Sequence, residues 1–197
     1  MKKILLSAVF SICAVVSVWA ADRFVTFTPQ GSAFCLTDQK GTIQYDQNDW
    51  KGVHIAIANL KKDLEKVTGR QDYPIVVGTL GKSAAIDQMA KKVSAIKDLK
   101  GKTEMFIITT VKDQLVIAGS DKRGTIYGIY ELSQQIGVSP WYDWADVPAE
   151  KHDQLYIKKG VYTDGEPAVK YRGIFLNDEA PCLTGWVKEN YGGYNHE

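Results

Sequence analysis

Residues 104–136 constrain the fold of this chain more than any other stretch. Glu104 to Val111 is a dense β-forming run with Met105, Phe106, Ile107 and Ile108. Lys112-Asp113 follows as a two-residue reversal, and Gln114 to Gly119 returns with Leu115, Val116, Ile117 and Ala118. Two apolar runs joined by two turn-forming residues predict a β-hairpin. Ser120 or Asp121 can then cap a helix over about 123–136, with Ile126, Ile129, Tyr130, Leu132 and Ile136 as its buried stripe and Gly137 as its stop. Gly124 and Gly128, four residues apart on that helix, would let it lie close against the sheet.

The preceding segments extend the pattern. Arg23 to Thr28 and Phe34 to Leu36 read as short strands. The clearest helix runs from about Trp50 to Val67. Val53, Ile57, Leu60, Leu64 and Val67 recur at helical spacing, with Asn48 or Asp49 as cap and Gly69 as terminator. Tyr73 to Gly78 is a strand, and Ser83 caps a helix over about 84–93. The turn from Gly78 to Ser83 fails the phosphate-loop spacing, because three residues rather than four separate Gly78 from Lys82. Gln154 to Lys158 can add a strand. The order β-β-α-β-α-β-β-α predicts an α/β (α+β-like) domain with a mixed sheet and packed helices.

Charge excludes some partners. Twenty-four Lys and Arg against 23 Asp and Glu leave a net charge of +1, which gives no electrostatic reason to expect nucleic acid or an anionic membrane. Lys2 and Lys3 precede an apolar run from Ile4 to Val18, too short for a convincing membrane span. Val18-Trp19-Ala20 resembles a cleavage site, so residues 1–20 are expected to be a signal peptide and the chain to be exported, periplasmic or extracellular, with no membrane contact after cleavage. An uncleaved anchor is the alternative. Cys35 and Cys182 then remain; a single disulfide suits that compartment, but the two fall in different predicted units and are expected as unpaired thiols. Neither a CxxC pair nor a Cys/His cluster occurs, so no metal or cofactor is expected.

Residues 141–148, from Trp141-Tyr142-Asp143-Trp144 to Pro148, are dense in aromatics. Trp141 and Trp144 could stack on pyranose faces, or the loop could latch the domain onto a neighbour. The composition then shifts. The expected organisation is a domain over 21–158, a linker over 159–170, and a second piece over 171–197. That piece opens on Tyr171 to Leu176, read as a buried strand, and runs at once into Asn177, Asp178, Glu179 and Pro181. Carboxylates at the carboxyl end of such a strand are candidates for chemistry on a ligand. Capping of the next helix is the competing role.

Two stretches together carry a family resemblance. One is Arg123-Gly124-Thr125-Ile126-Tyr127-Gly128 with Ser139-Pro140-Trp141-Tyr142 and Trp144-Ala145-Asp146-Val147-Pro148. The other is Arg172 to Pro181 with Gly185-Trp186 and Gly192-Gly193-Tyr194-Asn195-His196. The chain resembles glycoside hydrolase family 115, the xylan α-1,2-glucuronidases; the first stretch is shared more loosely with β-hexosaminidases and other α-glucuronidases. The resemblance implies an N-terminal α/β domain followed by a (β/α)₈ catalytic barrel, here truncated after its first strand at Arg172 to Leu176. It implies inverting hydrolysis of (4-O-methyl)glucuronic acid side chains from glucuronoxylan, so a polysaccharide partner. Inversion uses one carboxylic acid and one carboxylate roughly 6.5–9.5 Å apart. On that reading Asp178 is the best candidate for substrate contact, with its catalytic role unassigned; Asn177 beside it, and Glu179, which points the other way on an extended segment, are candidates for substrate binding. The 197-residue piece is expected to be inactive alone, and any oligomer would form through domains it lacks. A non-catalytic carbohydrate-binding or docking module is the alternative, and a related glycosidase acting on another sugar is a third reading.

Overall fold

A computed structural model describes residues 23–175, 177–178 and 182–193. The chain divides into two compact units, residues 1–166 and 167–197. The predicted signal peptide lies outside the described residues.

In the first unit, β1 (Val25–Thr26), β2 (Phe34–Cys35) and β3 (Ile43–Gln44) precede α1 (Lys51–Thr68). There follow β4 (Ile75–Thr79), α2 (Ala84–Ala90), α3 (Ser94–Lys97), β5 (Phe106–Val111) and β6 (Gln114–Gly119). The unit ends with α4 (Lys122–Gln135), β7 (Tyr156–Ile157) and β8 (Val161–Tyr162). The main sheet has the order β3-β4-β6-β5-β8. The first three of these pair in parallel, and β5 and β8 join antiparallel, so the sheet is mixed as expected. A smaller antiparallel sheet places β7 between β1 and β2.

The period-two pleat divides the core between the two faces of the main sheet. Ile75, Val77, Phe106, Ile108, Leu115 and Ile117 belong to one cluster with the buried stripes of α1 and α4. Val76, Ile107, Val116 and Ala118 belong to a second with Ile86, Ile96 and Leu99. Every residue of β4 is buried, as a strand covered on both faces must be.

The hairpin forms across Lys112-Asp113, with Val111 opposite Gln114. Lys112 takes φ 54°, the left-handed value that primed hairpin turns need. Gly69 ends α1 at φ 77°, its N–H donating to the Glu65 carbonyl at 2.8 Å. Asp121 caps α4 by accepting from the Gly124 N–H at 2.8 Å.

The structure departs from the expectations in four places within this unit. Strand β3 and helix α3 are additional. The N-cap of α1 is Trp50, with no side-chain capping bond, because the carboxylate of Asp49 is drawn to β4 instead. Tyr130 is not in the buried stripe of α4; it is 43% exposed, and its hydroxyl accepts from Asn59 Nδ2 at 2.8 Å. Finally, the 159–170 segment read as a linker contains β8, which pairs with β5, and the Thr109 hydroxyl donates to the Gly160 carbonyl at 2.8 Å. Glu166 accepts from Lys102 Nζ at 2.9 Å and from the Thr103 N–H at 2.8 Å, so this stretch is tied to the first unit. The same contacts hold the Glu166 carboxyl below its ordinary range and raise the Lys102 ammonium above its own.

The second unit contains α5 (Cys182–Tyr191). Trp186 and Tyr191 meet edge-on at 5.4 Å, and the Gly192 N–H donates to the Lys188 carbonyl at 3.0 Å. Residues 171–175, expected as a buried first barrel strand, are in no strand. Ile174 is 85% and Phe175 90% exposed. A strand exists through the ladder it makes with a neighbour, and among the described residues none pairs with this run.

Candidate functional site

The anticipated site residues fall in separate places. In the second unit, Asp178 faces the first turn of α5. Its Oδ1 accepts from the Thr184 N–H at 2.9 Å and its Oδ2 accepts from the Thr184 hydroxyl. A carboxylate there satisfies a helix N–H and suits the positive end of the helix dipole, so Asp178 performs the capping role in this chain. Asn177 is exposed beside it, and Glu179, Asn195 and His196 lie outside the described residues.

The aromatic loop of the first unit is split in direction. Trp141 is 59% and Trp144 53% exposed, whereas Tyr142 packs against the core beneath Lys66 Nζ, 3.8 Å from the ring centre. The inward tyrosine anchors the loop while the two tryptophans stay at the surface. Cys35 is half-buried and in no disulfide; the side chain of Cys182 lies outside the described residues.

A third place was not singled out from the sequence. The parallel strands β4 and β6 end side by side, at Thr79 and Gly119. Their loops enter α2 and α4, and α1 begins alongside, so three helices start around the carboxyl ends of two parallel strands. In open α/β sheets this is where ligands collect. A cleft of about 380 Å³ opens there, lined by Trp50, Thr79, Lys82, Ser120, Lys122 and Arg123 among others.

The floor of this cleft is a chain of buried polar contacts. Asp49, 6% exposed, accepts from the Trp50 N–H and the Thr79 hydroxyl on Oδ1, each at 2.8 Å, and from the Thr79 N–H on Oδ2 at 2.7 Å. The Thr125 hydroxyl lies 2.8 Å from Thr79 Oγ1 and 2.9 Å from the Asp121 carbonyl, sharing its hydrogen between them. The carboxylate of Asp121 accepts from the Glu104 and Gly124 N–H groups, each at 2.8 Å. These bonds join the start of α1, the end of β4 and the start of α4 into one unit, which holds the cleft open. The sequence signal was a basic residue following each strand end, Lys82 after β4 and Lys122-Arg123 after β6.

Comparison with known proteins places both units. Residues 35–132 match the model of the glycosyl hydrolase family 67 N-terminus, and residues 164–197 match that of glycosyl hydrolase family 115. A solved structure described as a family GH115 4-O-methyl-α-glucuronidase with specificity for decorated arabinogalactans superposes with a TM-score of 0.71 at 35% identity. The alignment covers 83% of this chain and 22% of that one. No curated protein sequence gives a significant match. With residues 35–132 similar to a family 67 N-terminus and residues 164–197 to family 115, the chain is similar to the N-terminal region of family 115 proteins and spans about a fifth of the length of the solved one it matches.

Proposed function

We propose that this chain is the N-terminal part of an exported glycoside hydrolase that releases (4-O-methyl)glucuronic acid from glucuronoxylan side chains with inversion. The observation that carries the reading is the family 115 match at residues 164–197, supported by the 35% identity to a 4-O-methyl-α-glucuronidase. The first 20 residues serve as the export signal, as their charge and apolar pattern suggest. The first unit acts as a folded platform in front of the catalytic domain, and Asn177 and Asp178 stand at one edge of the active site.

Inversion needs two carboxyl groups, one to protonate the leaving oxygen and one to activate water. Asp178 is a single carboxylate engaged with Thr184. The 197-residue chain alone is therefore expected to turn over no substrate, while the full-length parent is expected to release (4-O-methyl)glucuronic acid from glucuronoxylan. Chromatography of the released acid, with decorated arabinogalactan as a second substrate, checks both statements. A parent that releases no uronic acid from glucuronoxylan overturns the assignment; turnover by the isolated chain overturns the division of labour.

A second reading has its own observation, the exposure of Trp141 and Trp144. As a latch, the loop should give the isolated chain no affinity for undecorated xylan that Trp141→Ala or Trp144→Ala can reduce. Affinity electrophoresis in xylan measures this. Weaker retardation of either variant would instead make the loop a sugar-stacking surface, since a large aromatic ring packed on a ligand is the kind of group whose truncation weakens binding most.

A further inference from the structure

We propose that the cleft between the β4–α2 and β6–α4 loops is a binding subsite for a uronate, a singly charged, polyhydroxylated carboxylate. The saccharide part of this assignment rests on the glucuronidase reading above; the anionic part rests on the cleft itself.

Three cationic side chains, Lys82, Lys122 and Arg123, line the mouth beside the carboxylate of Asp121. Arg123 is paired with Glu104 at 2.8 Å. Among the described residues Lys82 and Lys122 make no ion pair, and both are exposed. The carboxylates of Asp49 and Asp121 keep their charge but direct their oxygens to donors within the protein, Asp49 to three and Asp121 to two main-chain N–H groups. Lys82 is held in position over the indole of Trp50, its Nζ 4.4 Å from the ring centre. Such a cation–π contact orients the ammonium without neutralising it. At about 380 Å³ the cleft has the volume of a small-ligand site.

The donors at the mouth are mostly side chains. A phosphate is typically gripped by several main-chain N–H groups at a loop or helix start. Here those of Thr79, Leu80, Gly81, Lys82 and Ser120 all donate inside the protein. Gly124 N–H is likewise taken by Asp121. What remains are the Lys122 N–H in the first turn of α4, which has no acceptor within the helix, two ammonium groups, and the hydroxyl hydrogen of Ser120, whose oxygen accepts from the Met105 N–H at 3.0 Å. Two ammonium groups, a hydroxyl and one main-chain N–H can take one carboxylate and its neighbouring sugar hydroxyls, and it is the glucuronidase reading that favours this anion over phosphate. The exposed Trp50 and the half-buried Leu80 offer apolar surface for the C–H groups of a sugar ring.

The test is an amide-detected NMR titration of the 197-residue chain with glucuronate, glucose and inorganic phosphate in turn. Glucuronate is expected to shift the amides of 79–82 and 120–123, glucose to leave them in place, and phosphate to bind more weakly than glucuronate. Lys82→Met and Lys122→Met should each weaken glucuronate by about fivefold, as for a solvent-accessible charge contact. The double variant should bind it at least tenfold more weakly, with shifts elsewhere in the spectrum confirming the fold. No response to glucuronate, an equal response to glucose, tighter binding of phosphate, or an unaltered double variant would each overturn the proposal. Binding is read here on the chain and hydrolysis on the parent, so an active parent with a silent titration removes this subsite alone. A positive titration with an inactive parent leaves the anion site standing and removes the enzymatic assignment.

Discussion

Gly124→Ala is expected to lower the melting temperature of the first unit by about 10 °C, corresponding to a loss of ~3 kcal/mol in a domain of this size. A β-carbon built on Gly124 would stand 2.2 Å from the Met105 carbonyl oxygen and 2.9 Å from its carbon. The obstacle is main chain at the start of β5, so no rotamer change relieves it. Either α4 lifts from the sheet or the β5 entrance moves. Both disturb the core of Ile129, Leu132 and Phe106, and both pull on Asp121, which ties the Glu104 and Gly124 N–H groups together. The higher helix propensity of alanine returns only ~1 kcal/mol. Gly52→Ala in α1 is the internal control. Its β-carbon would meet the terminal methyl of Ile126 at 3.3 Å and a lysine methylene at 3.9 Å. A half-buried terminal methyl can yield, so that variant should lie within ~0.5 kcal/mol of the parent. Thermal unfolding followed by circular dichroism compares the two. Equal melting temperatures would mean that α4 is not seated against β5 as described.

The residues around Gly124 also show what could be read from the chain alone. The hairpin, its two-residue reversal, the cap at Asp121 and the glycine pair of α4 are all encoded within 33 consecutive residues. Each is a local signal: alternation, turn chemistry, capping and a small-residue spacing of four. What was not legible depends on partners distant in the chain. Strands β3 and β8 are two residues each and exist because β4 and β5 offer them ladders; nothing in Ile43-Gln44 or Val161-Tyr162 distinguishes them from loop. Tyr130 has the apolar bulk of a stripe residue, yet it points outward to Asn59, 71 positions earlier. Asp178 was ambiguous for the opposite reason. A carboxylate before a helix reads the same whether it caps the helix or meets a substrate; the bonds to Thr184 give it the first role, and the second is a proposal. The cleft needed the topology as well, because Lys82 and Lys122 are 40 positions apart and meet only when β4 and β6 pair.

Asp49 is the clearest instance of a residue whose role reverses between sequence and structure, and its replacement should be nearly as costly as that of Gly124. A capping aspartate can be exchanged for asparagine at little cost, because either side chain presents an oxygen to the helix. Asp49 instead uses both oxygens, and all three of its donors point inward: the Trp50 N–H, the Thr79 N–H and the Thr79 hydroxyl. Thr79 is 2% exposed, so its donors depend on acceptors within the protein. Asp49→Ala leaves the buried Thr79 N–H unsatisfied and the Thr79 hydroxyl with Thr125 Oγ1 as its remaining acceptor, and should cost ~2–4 kcal/mol. Asp49→Asn is the informative variant. It keeps one oxygen but turns an amide N–H₂ toward groups that are themselves donors, so it should be nearly as destabilising as alanine. Urea unfolding gives the free energies, and hydrogen exchange at the Thr79 amide locates the damage. An asparagine variant as stable as the parent would return Asp49 to a simple cap. A destabilised one, with fast exchange at Thr79, would show that the start of α1 and the end of β4 are held by a single buried carboxylate beneath the cleft.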